Sequence, residues 1–229
     1  MSERLPAPDP TRFPSLGDAH LRILPTGHLL GRIHSQGGTY ATRWNEFRRW
    51  GPASGRFDHQ PPPPRMHPTR AVLYAAPELP LPDVPPVDRD SPPILRTCLA
   101  EVYRDRGLIE LRRDDPYVVL FELARPVRLL DVADSDWLML AGGNAALSSG
   151  RRSAARDWAR AIYRHYAGQE AVDGLFYLCS NVPSARSVVL WEPARDALPE
   201  RPHLHLPLAH PALRAEIEVY AAQLRLELV

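Results

Sequence analysis

Short apolar runs alternate with polar, proline-broken stretches along most of the chain, and the period of each run sets the element it predicts. Residues 21–24 and 29–34 read as two short strands across a turn at Pro25-Thr26-Gly27, and 71–75, 117–123, 127–130, 175–179 and 187–191 read as further strands. Helical spacing appears in three places. Over residues 95–105 the apolar stripe is Leu95, Cys98, Leu99 and Val102; over 156–167 it is Ala155, Trp158, Ala159, Ile162 and Tyr166. The third, 211–226, carries Leu213, Ile217, Ala221 and Leu224, with Pro211 in its first turn. Residues 1–19 are proline-rich and non-periodic and predict an N-terminal arm. Pro61 to Pro64 marks a loop that cannot join a ladder, and residues 77–93 form a proline-laden insert. No internal repeat is visible. Strands and helices do not alternate regularly, so the class expected is α+β, as one domain over residues 20–229.

Composition narrows the chemistry. The 229 residues are 44% apolar, enough for one sizeable core. The net charge of +1 gives no electrostatic footprint for nucleic acid or anionic lipid. No apolar run is long enough to span a bilayer, the N-terminus lacks a signal pattern, and two cysteines are too few for a disulfide framework. A cytoplasmic protein is expected, with no membrane contact and no direct nucleic-acid binding. All 28 basic residues are arginine. The absence of lysine excludes lysine Schiff-base chemistry and the P-loop, while arginine keeps its forked, permanently charged grip on phosphates.

Five chemistry-bearing residues stand out by context. Arg32 lies in Gly31-Arg32-Ile33-His34 and Arg56 in Ser54-Gly55-Arg56-Phe57-Asp58. Tyr74 ends the apolar run from Ala71. Glu101 lies in Cys98-Leu99-Ala100-Glu101-Val102, roughly 60° of helical rotation from Cys98, at the border of the apolar stripe. Ser180 closes the run from Asp173. Tyr40 and His34, close to Arg32 in sequence, are candidates for the same cleft. Each has an ordinary alternative: a surface arginine, a core tyrosine, a solvated glutamate, a turn serine. His203, His205 and His210 lack the cysteine or carboxylate partners of a metal centre, so no metal is expected. Cys98 and Cys179, in apolar surroundings, read as inert packing. Trp44, Phe47 and Trp50 among arginines read as packing rather than as a nucleic-acid stacking platform.

In this order and with these contexts, the five residues resemble the RES-domain family, named for its arginine, glutamate and serine. The resemblance runs over roughly residues 21–198. It rests on Gly55-Arg56-Phe57-Asp58, the strand ending in Tyr74, Leu99-Ala100-Glu101, Trp158-Ala159-x-Ala161-Ile162, and the Asp173-Gly174…Tyr177…Ser180 run. It departs from the pattern in the long interval between Tyr74 and Glu101, which the proline-rich insert fills; Glu78 is a competing carboxylate there, without a helix to fix it. The resemblance implies mixed, twisted sheets with flanking helices, as in ADP-ribosyltransferases. It also implies the toxin of a toxin–antitoxin pair, acting on NAD as substrate and covered by a helix-turn-helix antitoxin; a homo-oligomer is a further expectation. Glycohydrolysis or phosphorolysis of NAD is the first reading. Mono-ADP-ribosylation of a host protein, or an inactive binding module of the same fold, are the alternatives.

The chemistry fits such a set on its own terms. Breaking the nicotinamide–ribose bond builds positive charge on the ribose, while the nicotinamide leaves neutral and needs no general acid. One carboxylate about 4 Å from that charge contributes about 4 kcal/mol at an effective dielectric of about 20, roughly a thousandfold in rate. Glu101 takes this role. Arg32 and Arg56 would hold the pyrophosphate, Tyr74 would stack on nicotinamide or ribose, and Ser180 would orient the carboxamide or a ribose hydroxyl.

Overall fold

The computed structural model describes residues 4–79, 93–167, 172–182 and 184–229. In chain order its elements are β1 (Leu21–Leu24), β2 (Leu29–Ser35), β3 (Trp50–Gly51), β4 (Arg65–Met66), β5 (Val72–Pro77) and α1 (Ile94–Tyr103). Then follow β6 (Leu108–Ile109), β7 (Pro116–Glu122), β8 (Val127–Asp131), α2 (Trp137–Leu140), α3 (Ala146–Ser149) and α4 (Arg152–Tyr166). The chain closes with β9 (Gly174–Leu178), β10 (Arg186–Trp191), β11 (Leu204–Pro207), α5 (Arg214–Leu224) and β12 (Glu227–Leu228). The insert expected at 77–93 falls, from 80 to 92, outside the described residues.

Eight strands form one sheet in the order β1-β8-β9-β10-β5-β2-β7-β11; β8 and β9 run parallel and the other neighbours antiparallel. This is the α+β class expected. β1 and β2, adjacent in sequence, do not pair with each other: β1 takes the edge beside β8, and β2 lies between β5 and β7.

Period-two burial explains how the sheet holds together. On β10, Val188 and Leu190 join a core shared with Leu73, Phe176, Leu30 and Phe121, whereas Val189 and Trp191 face a second core built on Trp158, Ile162 and Tyr166 of α4. On β2 and β7, Ile33 and Val118 face a third core, made by α1 and α5 through Leu95, Leu99 and Ile217. One sheet face is therefore covered by two separate helical layers, with α4 over one half and α1 with α5 over the other.

The seam between these layers is where the strands part. β2 and β5 pair at Leu30–Pro77 and Gly31–Ala76. Further along, the edge of β5 is taken by Arg48, which exchanges two backbone hydrogen bonds with Val72. α1 approaches β2 closely at Gly31, where a Cβ would lie 2.3 Å from Ile94 and 2.8 Å from Leu120, so a larger residue there would have to displace both side chains.

The proline-rich N-terminal segment packs against α4. Leu5 and Phe13 are buried in the α4 core, Trp158 Nε1 donates to the Pro6 carbonyl at 2.7 Å, and Tyr166 Oη donates to the Pro14 carbonyl at 2.6 Å. At the other end, the helix expected over 211–226 begins as a 3₁₀ turn at Pro211–Leu213, and α5 stops at Leu224, where Arg225 turns left-handed at φ 54°.

Candidate functional site

A cavity of about 490 Å³ opens at this seam, and Arg32, Arg56, Tyr74, Glu101 and Ser180 all line it. They arrive from β2, the loop before β4, β5, α1 and the end of β9. Sequence separations of up to 148 positions, from Arg32 to Ser180, are thus closed by the sheet order and by α1 crossing it. Five guanidinium groups (Arg32, Arg48, Arg56, Arg106, Arg152) and three carboxylates (Glu46, Glu101, Asp105) stand in the lining. Arg48, Arg106 and Arg152 are ion-paired with Asp58, Glu110 and Asp105, which leaves Arg32 and Arg56 as the lining guanidinium groups without a salt bridge among the described residues, suited to a phosphate-bearing ligand. Arg152 is the first residue of α4, so the positive end of that helix dipole adjoins the cavity.

Glu101 projects from the last turns of α1 and is exposed to the cavity. Ser187 Oγ, on the α4-facing side of β10, donates to Glu101 Oε1 at 3.1 Å. The Cys179 thiol also donates to this carboxylate, and burial together with the Glu101 charge pushes that thiol up to about 12. Cys98, one turn before Glu101, is likewise pushed up to about 12, by burial first and the same charge second. Both cysteines are therefore neutral thiols, as their apolar contexts suggest. Burial, followed by the Glu101 charge, raises the Tyr177 phenol well above its usual range.

The Gly55-Arg56-Phe57-Asp58 segment is built around Asp58, which is fully buried. Asp58 accepts from Arg48 Nη2, from Tyr74 Oη at 2.9 Å and from the Ala53 amide at 2.7 Å. Tyr74 Oη in turn accepts from the Phe57 amide at 3.1 Å. Gly55 has no room for a side chain, since a Cβ would lie 2.4 Å from Asp58 Oδ1 and 2.6 Å from Tyr74 Oη. Tyr74 thus offers the cavity its ring, while its hydroxyl holds the loop that carries Arg56. Burial, with Asp58 beside it, keeps that phenol protonated well above its ordinary range.

The two arginines are held but not saturated. Arg56 Nη1 donates to the Gly150 carbonyl at 2.7 Å, and burial followed by Arg152 lowers its pKa. Arg32 Nη1 lies 3.4 Å from each of the Trp44 and Glu46 carbonyls, and its Nε is buried with no hydrogen-bond partner among the described residues. Burial pulls Arg32 down to about 10, which leaves it a cation at neutral pH. An unpaired buried donor is costly.

His34 and Tyr40 are not brought to this cavity. Tyr40 is 87% exposed on the loop after β2. His34 is buried two residues beyond Arg32, toward β11; its Nδ1 donates to the Thr42 carbonyl at 3.0 Å, and its Nε2 lies 2.9 Å from His205 Nε2. Adjacency in sequence to Arg32 was the reason to suspect them, and the strand carries His34 past the opening. The lining residues Arg152 and Ser187 carry no signal that singles them out in the sequence, and Tyr177 is visible there only as part of the run that ends at Ser180. Among the described residues no group of three or more His, Cys, Asp or Glu side chains comes together to hold a metal ion, and no helix is long and apolar enough to cross a membrane.

No model of a known protein family matches the chain, and no curated protein matches it in sequence. Its fold is similar to that of a chain in the crystal structure of the M. tuberculosis MbcT-MbcA toxin–antitoxin complex. That similarity has a TM-score of 0.52 and 12% identity, over 92% of this chain and 96% of the other.

Proposed function

We propose that this chain is the toxin of a toxin–antitoxin pair and consumes NAD by breaking its nicotinamide–ribose bond. The carrying observation is the convergence of Arg32, Arg56, Tyr74, Glu101 and Ser180, scattered in sequence, on one cavity where Arg32 and Arg56 have no salt-bridge partner among the described residues. The fold shared with a chain of a toxin–antitoxin complex supports the biological role. In this reading an antitoxin, of helix-turn-helix type, is the partner, the cytoplasm is the place of action, and no metal is required.

The roles follow from position. The guanidinium groups of Arg32 and Arg56 hold the pyrophosphate through the N–H donors their protein contacts leave free. Glu101, steadied by Ser187 and Cys179, faces the ribose. As the C–N bond lengthens, its electron pair leaves with the nicotinamide nitrogen, which becomes neutral, and the ribose carbon takes on positive charge opposite the carboxylate. Water then bonds to that carbon and releases a proton to the solvent, or a phosphate oxygen bonds to it instead. The Tyr74 ring forms part of the wall against which the planar groups pack, and Ser180 supplies a hydroxyl at the rim.

The test is incubation of the purified protein with NAD carrying label in the adenosine half, reading released nicotinamide by chromatography and label on protein by gel. Nicotinamide release with label confined to small molecules is expected, falling roughly a thousandfold in Glu101→Gln. Label on a protein acceptor would move the reading to ADP-ribosyl transfer. No release and no label, or full activity in Glu101→Gln, overturns it.

A further inference from the structure

The three ion-paired guanidinium groups of the cavity lining differ in what holds them. Arg48 meets Asp58, whose carboxylate is fully buried and takes two further donors, so that pair is fixed. Arg106 lies 3.6 Å from Glu110, which stands outside the lining and also takes Arg113 at 3.1 Å, so this pair belongs to one surface turn. Arg152 meets Asp105, and here both partners line the cavity. Arg152 begins α4, and Asp105 lies two residues past the end of α1, so the pair bridges the two helical layers at the seam where the cavity opens. Their side chains are 41% and 60% exposed. An ion pair this accessible to water contributes little and opens readily.

We propose that Arg152 is a further ligand-binding guanidinium held in reserve by Asp105: when a phosphate-bearing ligand enters, its oxygens replace the Asp105 carboxylate and Arg152 joins Arg56 on the phosphate. This deepens the NAD reading and rests on it for the identity of the ligand; the exchange itself needs only a phosphate. Position supports it. Arg56 Nη1 donates to the Gly150 carbonyl at 2.7 Å, two residues before Arg152, so one short segment tethers one guanidinium and carries the other. The two cations feel each other: after burial, the Arg152 charge does most to lower the Arg56 pKa. Neighbouring guanidinium groups repel, and an anion lodged between them relieves the repulsion. Asp105 supplies that negative charge to one of the two, and a phosphate, with more acceptor oxygens, supplies it to both. Asp105 thereby sets how tightly the cavity takes a phosphate, because its carboxylate competes for the same fork.

The experiment is calorimetric titration of the full chain with inorganic pyrophosphate, in the wild type, Asp105→Asn, Arg152→Ala and the double variant, alongside steady-state nicotinamide release from NAD. Asparagine keeps the shape of aspartate, and both side chains reach solvent, so the variants fold. Arg152→Ala is expected to bind pyrophosphate about tenfold more weakly, through loss of a charge-assisted hydrogen bond. Asp105→Asn is expected to bind it about threefold more tightly, through loss of the competitor. The double variant is expected to bind as Arg152→Ala does, since Asp105 acts through Arg152. KM for NAD should follow the same order with kcat changed less than about twofold, as for a contact made equally in the ground and transition states. Pyrophosphate that fails to bind, or binds all four proteins equally, overturns the exchange. So does a double variant that binds about threefold more tightly than Arg152→Ala, since Asp105 then acts on the cavity as a whole. Cleavage of NAD in either case leaves the enzymatic reading standing. Pyrophosphate affinities in the expected order, without nicotinamide release from NAD, sink the enzymatic reading and leave the exchange in place.

Discussion

Ser187 Oγ donates a hydrogen bond of 3.1 Å to Glu101 Oε1, joining a buried position of β10 to an exposed carboxylate on α1 across 86 positions of sequence. The bond orients the one lining carboxylate that also receives a thiol, and it restricts a long side chain that would otherwise sample several rotamers. Ser187→Ala removes the donor and leaves the backbone as it is. A hydrogen bond to a charged group contributes about 1.5–3 kcal/mol, so kcat for nicotinamide release is expected to fall between about tenfold and a hundredfold, with KM for NAD nearly unchanged. Parallel changes in KM and melting temperature with an unaltered kcat would assign Ser187 a packing role instead.

Asp58 carries the loop that presents Arg56, and three donors depend on it. Asp58→Ala strands Arg48 beside an empty acceptor and frees both Tyr74 Oη and the Ala53 amide. Removing one partner of a buried ion pair costs about 3–5 kcal/mol, and urea unfolding should show a loss of that size. Tyr74→Phe keeps the ring on the cavity wall and deletes the hydroxyl that bridges Phe57 and Asp58; a loss of about 1–3 kcal/mol is expected. If Tyr74→Phe is as stable as the wild type, the bridge does not hold the loop.

Much of this fold could be read from periodicity, and the places where reading failed have specific causes. β5, β7, β8, β9 and β10 were visible because their apolar runs are bounded by turn residues, and α1 and α4 because their stripes recur at helical spacing. The short α2 and α3 have one turn each, too little for a period to register. Residues 187–191 are all buried, so Ser187, at the start of an otherwise apolar run, reads in sequence as a strand-end residue rather than as one that faces the cavity. Arg152 lies on the polar side of a helix whose pattern speaks of the core. Val102, counted in the apolar stripe of α1, is 40% exposed on the cavity rim beside Glu101. Asp58, the best-connected residue of the site, was visible in sequence as the end of a motif, but its partners lie 5 to 16 positions away in a segment without period.

Buried and half-buried histidines give the protein a stability that depends on pH. Burial, followed by the Arg32 charge, lowers His34 to about 4, and burial lowers His28, His205 and, well below its ordinary value, His59. His59 stacks on Tyr163 at 3.9 Å, with both ring nitrogens lacking hydrogen-bond partners among the described residues. In the unfolded chain each histidine takes up a proton near pH 6.5, whereas in the folded chain it stays neutral. Stability is therefore full above about pH 6.5 and falls as the pH drops toward 4, because the unfolded state binds more protons in that window. From His34 alone the loss is on the order of 3 kcal/mol. Urea unfolding at pH 7 and pH 4.5 should show the decline, with a shallower slope in His34→Gln; equal slopes would remove His34 as a source.

Residues 4–14 act as part of the α4 core despite their lack of periodic structure. Phe13 packs on Trp137 at 5.2 Å, on Trp158 at 5.8 Å and on Tyr166 at 6.1 Å, and the carbonyls of Pro6 and Pro14 take the Trp158 and Tyr166 protons. A proline-rich segment outside regular structure is suited to this, since its carbonyls are not used in a ladder and stay free for side-chain donors. Phe13→Ala is expected to cost about 3–5 kcal/mol through the cavity it opens among three large rings. Deleting residues 1–15 removes Leu5 and both carbonyl acceptors as well, which takes these buried donors' partners away at about 1–3 kcal/mol each. Against a total stability of about 5–15 kcal/mol, the truncated chain should melt far below the full one by circular dichroism, if it folds at all. An unchanged melting temperature would mean that the segment is an appendage after all, and that α4 holds its layer on the sheet without it.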